Sequence, residues 1–336
     1  MEIHENFHLK SYNTFSIDAK AKFFNSFSFV EELEEILMMY SEYPVFILGG
    51  GSNILFMKDY GGAVLKNEVK GIELQHEDAD YVYVKVGAGE NWHQFVLHCI
   101  DHNWAGIENL SLIPGNVGAS PIQNIGAYGV ELDDVFWSLE AFHLFEKRIH
   151  TFTREDCEFG YRNSIFKERY KDQFAIISVT FQLKKKPIFH IDYGAITEEL
   201  EKMGVKDLSI KAVSQAVINI RSSKLPDPQK IANAGSFFKN PEVPTEKYEA
   251  LKLQFPNIVA YPLAKGTAKL AAGWMIEQCG WKGYRKGDAG CHAKQALVLV
   301  NYGNATGKEI FDLSEEILQS VKNKFGVVLE REVNVI

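Results

Sequence analysis

The chain reads as an α+β protein of 336 residues built in three parts. Three observations predict this. Short apolar or alternating runs, bounded by glycine and proline, dominate the first 210 residues and suit strands. From about Lys211 the apolar residues shift to helical spacing. The length is too great for one ordinary core and fits two or three domains. Boundaries fall near residues 71 and 211, giving parts 1–71, 72–210 and 211–325, with a last strand in 326–336.

Ser28 to Met39 has the pattern of a helix, with Ser28-x-x-Glu31 as a capping box ahead of Leu33, Ile36 and Leu37. Pro44 stops it, and Val45 to Leu48 is a short buried strand. Ala63 to Leu65 and Tyr81 to Val86 are further strands, and Asn91 to Asn103 a helix. Leu112 to Val130 is too rich in Gly, Pro and Asn for regular helix. Strands resume at Val135 to Phe145 and Phe174 to Leu183. Helices follow at Val213 to Ser222, Glu246 to Phe255 and Lys269 to Cys279. A strand at Ala296 to Val300 precedes a long helix opened by Thr306-x-x-Glu309 and closed by Gly326. Val327 to Ile336 is the final strand.

Composition excludes several classes. Hydrophobic residues make up 46% and charged residues 24%, so the chain is not disordered. A net charge of −8 argues against a general nucleic-acid or membrane-surface binder. No apolar run approaches the roughly 18–20 residues of a membrane helix. Met1 to Lys10 lacks the basic start and apolar stretch of a secretory signal. Cys99, Cys157, Cys279 and Cys291 form no Cys-x-x-Cys pair, so reduced thiols and a cytoplasmic location are expected. His93, His98 and His102 lack a supporting carboxylate pattern, and no metal site is expected.

Two segments could carry chemistry. In Gly49-Gly50-Gly51-Ser52-Asn53, glycines let successive amides turn toward an anion while Ser52 and Asn53 add donors. A tight turn after a strand would explain the same residues. The second runs from Ile113 to Gly129, a long irregular stretch with many free amides; such stretches in compact domains tend to be functional. A flat or phosphorylated ligand suits it, an ornate surface loop being the alternative.

These segments resemble the FAD-contacting stretches of the UDP-N-acetylenolpyruvoylglucosamine reductase family. The resemblance runs from Asn13-Thr14-Phe15 to Glu332. It includes Tyr161-Arg162-Asn163-Ser164-Ile165-Phe166-Lys167, Gly235-Ser236-Phe237-Phe238-Lys239-Asn240-Pro241, Ala271-Ala272-Gly273-Trp274 and His292-Ala293-Lys294-Gln295-Ala296-Leu297-Val298. It implies a three-domain flavoprotein: a two-part FAD-binding fold of the vanillyl-alcohol oxidase type, with 326–336 returning to its second part, and a C-terminal α/β substrate domain. FAD would be bound non-covalently, since no histidine or cysteine sits in the glycine turn.

The resemblance implies cofactor contacts from Gly49, Gly50, Gly51, Ser52, Asn53, Pro114, Gly115, Gly118, Ala119, Ser120, Gln123, Asn124, Gly126, Ala127, Tyr128 and Gly129. It makes Arg162, Ser236 and Glu332 catalytic, with Ser236 as proton donor. Alternation puts Glu330 and Glu332 on one strand face and Arg331 on the other, and the resemblance selects Glu332. Tyr193, Arg221, Lys224, Asn240, Tyr261, Lys269, Lys282 and Gln295 would hold the UDP-sugar, Tyr193 from a mobile loop. NADPH would be the reductant, UDP-N-acetylglucosamine enolpyruvate the substrate and the monomer the working form. Relatives often carry a basic residue where Asn334 stands here, which weakens any claim for contacts by the tail.

Overall fold

A computed structural model describes residues 4–193, 195–263 and 266–336. The chain divides into two compact units. The first comprises Met1–Phe7, Ala21–Gly51 and Gly61–Ser223, the second His8–Lys20, Ser52–Tyr60 and Lys224–Ile336. This partition differs from the three successive parts read from the sequence.

The first unit holds two sheets. In the smaller, Val45–Leu48 pairs in parallel with Tyr60–Asn67, beside Lys20–Phe27. The larger is antiparallel, in the order Arg148–Thr153, Phe136–His143, Phe174–Lys184, Tyr81–Gly87, Ile72–Glu77. One core joins them: Leu33, Ile36 and Leu37 of the helix Val30–Met39 pack with Ala63 and Leu65 of one sheet and Phe142, Ala175 and Ile177 of the other. That shared burial makes residues before and after position 71 a single unit. The helix Ile210–Lys224 also packs within this unit, through Ala216, Val217 and Ile220 against Ile196 and Leu200 of the helix Ile196–Lys202.

The second unit has a four-stranded sheet in the order Ala232–Ser236, Val298–Asn301, Ala289–Cys291, Arg285–Lys286. A three-stranded sheet places Thr267–Leu270 between Glu242–Pro244 and Ala260–Leu263. The helix Gly307–Phe325 shows the expected capping box, Thr306 with Glu309, and ends at Gly326 in the left-handed conformation, φ 62°. The segment His8–Lys20 folds into this unit, where Asn301 Nδ2 donates to the Phe15 carbonyl at 2.9 Å.

Four local readings are corrected. Ser28 caps nothing with its side chain: the helix starts at Val30, and Glu32 rather than Glu31 takes the Ser28 amide at 2.6 Å. Lys269 lies within the strand Thr267–Leu270, and the helix begins only at Ala272. Of 327–336, only Asn334–Val335 is strand, and it pairs in parallel with Ile54–Leu55 of the second unit instead of returning to 72–210. Arg331 does not simply face away from Glu330 and Glu332. It is drawn onto the long helix, donating to Ser314 Oγ at 2.9 Å and lying over the Phe311 ring.

Candidate active site

In the first unit the two glycine segments touch. Gly50 sits so close to Gly115 and Asn116 that a Cβ on it would lie 2.8 Å from both the Gly115 Cα and the Asn116 Oδ1. The strand Val45–Leu48 delivers the first turn and the N-terminus of the helix Trp92–Asp101 holds the second. Trp92 N donates to the Gly115 carbonyl at 3.0 Å, Val117 N to Glu90 at 2.8 Å and Gly118 N to Ala88 at 2.9 Å. Among the described residues, the amides of Gly50, Gly115 and Asn116 have no acceptor. Free amides on touching glycine turns suit a phosphate-bearing ligand. Lys66 donates to the Gly49 carbonyl at 3.2 Å, and burial pulls its pKa down.

The remaining loop residues divide in role. Pro114 and Ala119 are exposed, and Gln123 is half-buried. Gly118 is buried against Ala88. Ser120 turns its hydroxyl inward to the Val117 carbonyl at 2.6 Å. Asn124 is spent on the loop itself: its amide donates to Glu131 and Gly160 while its oxygen accepts the Asp133 amide. Gly126 and Ala127 pair with Glu131 and Val130 in a two-stranded ribbon. Gly129, at φ 81°, lies under Tyr193, and a Cβ there would meet the tyrosine's Cβ at 3.3 Å.

Basic side chains gather at this end of the loop. Arg162, itself at φ 52°, donates through Nη2 to the Gly126 carbonyl and holds Nη1 3.8 Å from Glu131 Oε1. Arg221 has its Nε enclosed with no hydrogen-bond partner among the described residues. Burial, with the Arg162 charge adding to it, holds the Arg221 pKa below its usual value. Burial likewise raises the Tyr128 phenol, against the pull of Arg221. An enclosed cationic nitrogen without an acceptor is costly unless an anionic or polar ligand meets it.

In the second unit, Glu332 is fixed to the backbone of Phe237, the residue after Ser236. Ser236 ends a strand interrupted by an irregularity, with Gly235 at φ 70°. Asn233, 2% exposed, holds that bend: its Oδ1 accepts the Gly235 amide at 2.9 Å, and its NH2 reaches the Pro226 and Ile231 carbonyls. Sequence reasoning missed Asn233, because its partners are chosen by the bend. The Glu332 amide donates to the Phe237 carbonyl at 2.8 Å, fixing the tail beside Ser236. Among the described residues, the Ser236 hydroxyl makes no hydrogen bond, while Phe237 and Phe238 beside it are buried.

Asn53, also in this unit beside the half-buried Ser52, donates to the Glu332 carbonyl at 3.2 Å and accepts the Asn334 amide at 3.0 Å. Asn334 thus has a structural use.

The other expected substrate residues of this unit are spread over several elements. Tyr261 stands opposite Lys269, which lies 3.7 Å from Glu242. Asn240 Oδ1 accepts the amide of Ala272 at the start of the helix Ala272–Gln278, and Gln295 lies against Gly273 of that helix. Lys282 pairs with Glu277 at 2.8 Å, and Lys224 is exposed. Arg221, expected in the part 211–325, belongs to the first unit together with Tyr193.

A family model described as FAD binding domain matches residues 28–143, and one described as UDP-N-acetylenolpyruvoylglucosamine reductase, C-terminal domain, matches residues 227–336. The chain is 51% identical over 337 residues to the UDP-N-acetylenolpyruvoylglucosamine reductase of Flavobacterium johnsoniae, covering 100% of both. It is 52% identical over 338 residues to that of Amoebophilus asiaticus, again covering 100% of both. The crystal structure of such a reductase from Thermus caldophilus aligns with a TM-score of 0.70 over 100% of this chain and 99% of its own, at 24% identity, a likeness of fold. Matched from end to end by such relatives, the chain belongs to the UDP-N-acetylenolpyruvoylglucosamine reductase family and is an FAD-dependent oxidoreductase.

Proposed function

We propose that this protein reduces UDP-N-acetylglucosamine enolpyruvate to UDP-N-acetylmuramate with NADPH, a step in making peptidoglycan precursors. The observation that carries the reading is the hydrogen bond from the Glu332 amide to the Phe237 carbonyl, which brings the backbone of Glu332 next to that of the residue following Ser236. The first unit would hold FAD on the amides of the Gly49–Gly51 and Ile113–Gly129 turns, with Tyr193 and Arg221 beside them. The second unit supplies Asn240, Tyr261, Lys269, Lys282 and Gln295 to the UDP-sugar.

FAD, once bound, would supply the hydride chemistry, relaying reducing equivalents from NADPH to the terminal carbon of the enol ether. Negative charge then builds on the neighbouring carbon and its carboxylate. Arg162 is always charged and donates from a planar fork, which suits that carboxylate. Glu332 helps only if it brings a proton to share there. Ser236 delivers the proton to the carbanionic carbon; its hydroxyl, without a hydrogen bond among the described residues and followed in the chain by the buried Phe237 and Phe238, supports that role.

The test is anaerobic stopped-flow on each half-reaction. Ser236→Ala should leave flavin reduction by NADPH intact and abolish reoxidation by the enolpyruvyl sugar. Equal loss of both half-reactions would remove Ser236 as the donor. No sugar-dependent NADPH oxidation by the folded, FAD-loaded wild type would remove the reductase reading.

A further inference from the structure

Leu112, directly before the loop Ile113 to Gly129, sits in the left-handed region at φ 60°. A branched residue there is strained and persists only where its surroundings hold it. Its amide donates to Nδ1 of His93 at 3.0 Å. His93 stands in the first turn of the helix Trp92–Asp101, next to Trp92, whose indole reaches the Leu110 carbonyl at 3.0 Å. The other anchors of this helix end on the loop are backbone amides and an indole, which do not titrate. Among the described residues of these anchors, His93 is the one whose hydrogen-bonding sense depends on a proton.

We propose that His93 is a positioning residue for the flavin: by accepting the Leu112 amide, its neutral imidazole fixes the turn from which the cofactor loop departs. This rests on the reading of Ile113 to Gly129 as a flavin loop. The bond requires the tautomer with hydrogen on Nε2; a proton on Nδ1 would set donor against donor. Burial, with the Arg221 charge behind it, keeps the His93 pKa below its usual value, so the acceptor form persists at neutral pH. Among the described residues, Arg221 of the helix Ile210–Lys224 is the charged group acting on His93; Arg162 and Tyr128 in turn face Arg221.

Two variants separate the role from mere packing. His93→Asn places an amide oxygen where Nδ1 stands and takes up no proton. His93→Gln places its amide where Nε2 stands. Hydrogen exchange at the Leu112 amide is measured in the apoprotein, and FAD affinity across about pH 5 to 7.5. Exchange should stay slow in wild type and His93→Asn and rise about ten-fold or more in His93→Gln. FAD affinity should weaken by about ten-fold toward acid in wild type, stay flat in His93→Asn and be weak throughout in His93→Gln.

Wild-type exchange in His93→Gln, or an acid loss of affinity in His93→Asn equal to wild type, overturns the proposal. Gly50→Ala separates the two readings. FAD affinity lost in Gly50→Ala but kept in His93→Gln refutes the role of His93 alone. Affinity indifferent to both substitutions refutes the flavin reading of these turns, and the proposal with it.

Discussion

Gly50→Ala tests whether the touching glycine turns hold the flavin. The new Cβ would stand 2.8 Å from the Gly115 Cα and the Asn116 Oδ1, and 3.2 Å from the Gly115 carbonyl carbon. Carbon atoms in ordinary contact lie about 3.5–4.0 Å apart, so the turns must part by about 1 Å. Asn116 yields little, because its NH2 is bound to the Gly89 carbonyl at 2.9 Å. Gly115 presents backbone, which the Trp92 amide holds. Overpacking of this kind costs about 1–3 kcal/mol. If the strain falls on the bound geometry, FAD affinity drops by about 5- to 150-fold.

The assay is FAD titration by fluorescence quenching, alongside urea unfolding of the apoprotein to show how much of the cost falls on folding. Gly61→Ala is the control, since a Cβ there meets nothing within 4 Å. Wild-type FAD affinity and wild-type stability in Gly50→Ala would refute the argument.

Three further outcomes are expected. Asn233→Ala strips a buried residue from the Gly235 bend and leaves amide and carbonyl groups unmet, so urea unfolding should show a loss of about 1–3 kcal/mol; an unchanged midpoint would contradict it. Burial raises the Glu108 carboxyl above its usual pKa, so its contribution to stability is fullest at low pH and is lost as pH rises through the raised folded value. Urea midpoints at about pH 5 and 8 should therefore differ less in Glu108→Gln than in wild type. Cys99, Cys157 and Cys291 are buried, with the Cys157 and Cys291 thiols each pushed up to about 12, so the half-buried Cys279 should react first with a thiol reagent; mass spectrometry of the labelled peptides reads the order.

Much of the fold was legible where the cause is local. Val45 to Leu48 announces a strand by its apolar run, and the Thr306–Glu309 box with Gly326 brackets the long helix almost to the residue. The irregular run Leu112 to Val130 was legible because its Gly, Pro and Asn exclude regular helix. The two glycine segments were visible as candidates, and the family followed from motifs in their order along the chain.

Partners far apart in sequence were not legible. That Glu32 and not Glu31 takes the Ser28 amide depends on how the helix enters its core. That Lys269 belongs to a strand depends on Glu242 and Tyr261 lying on either side of it. Asn233, His93 and Asn334 carry no local pattern, since each is defined by a backbone group that only the folded chain brings near.

The sequence by itself determined several of the longer elements, their order and the family, because propensity, capping and motif spacing are properties of neighbouring residues. Tertiary structure alone decided which segments share a core. His8–Lys20 and Ser52–Tyr60 join the C-terminal part because hydrogen bonds and burial, not chain order, reward association. It likewise set Gly50 against Gly115 and Glu332 beside Ser236, since a contact of that kind exists only once distant backbone has been packed against distant backbone.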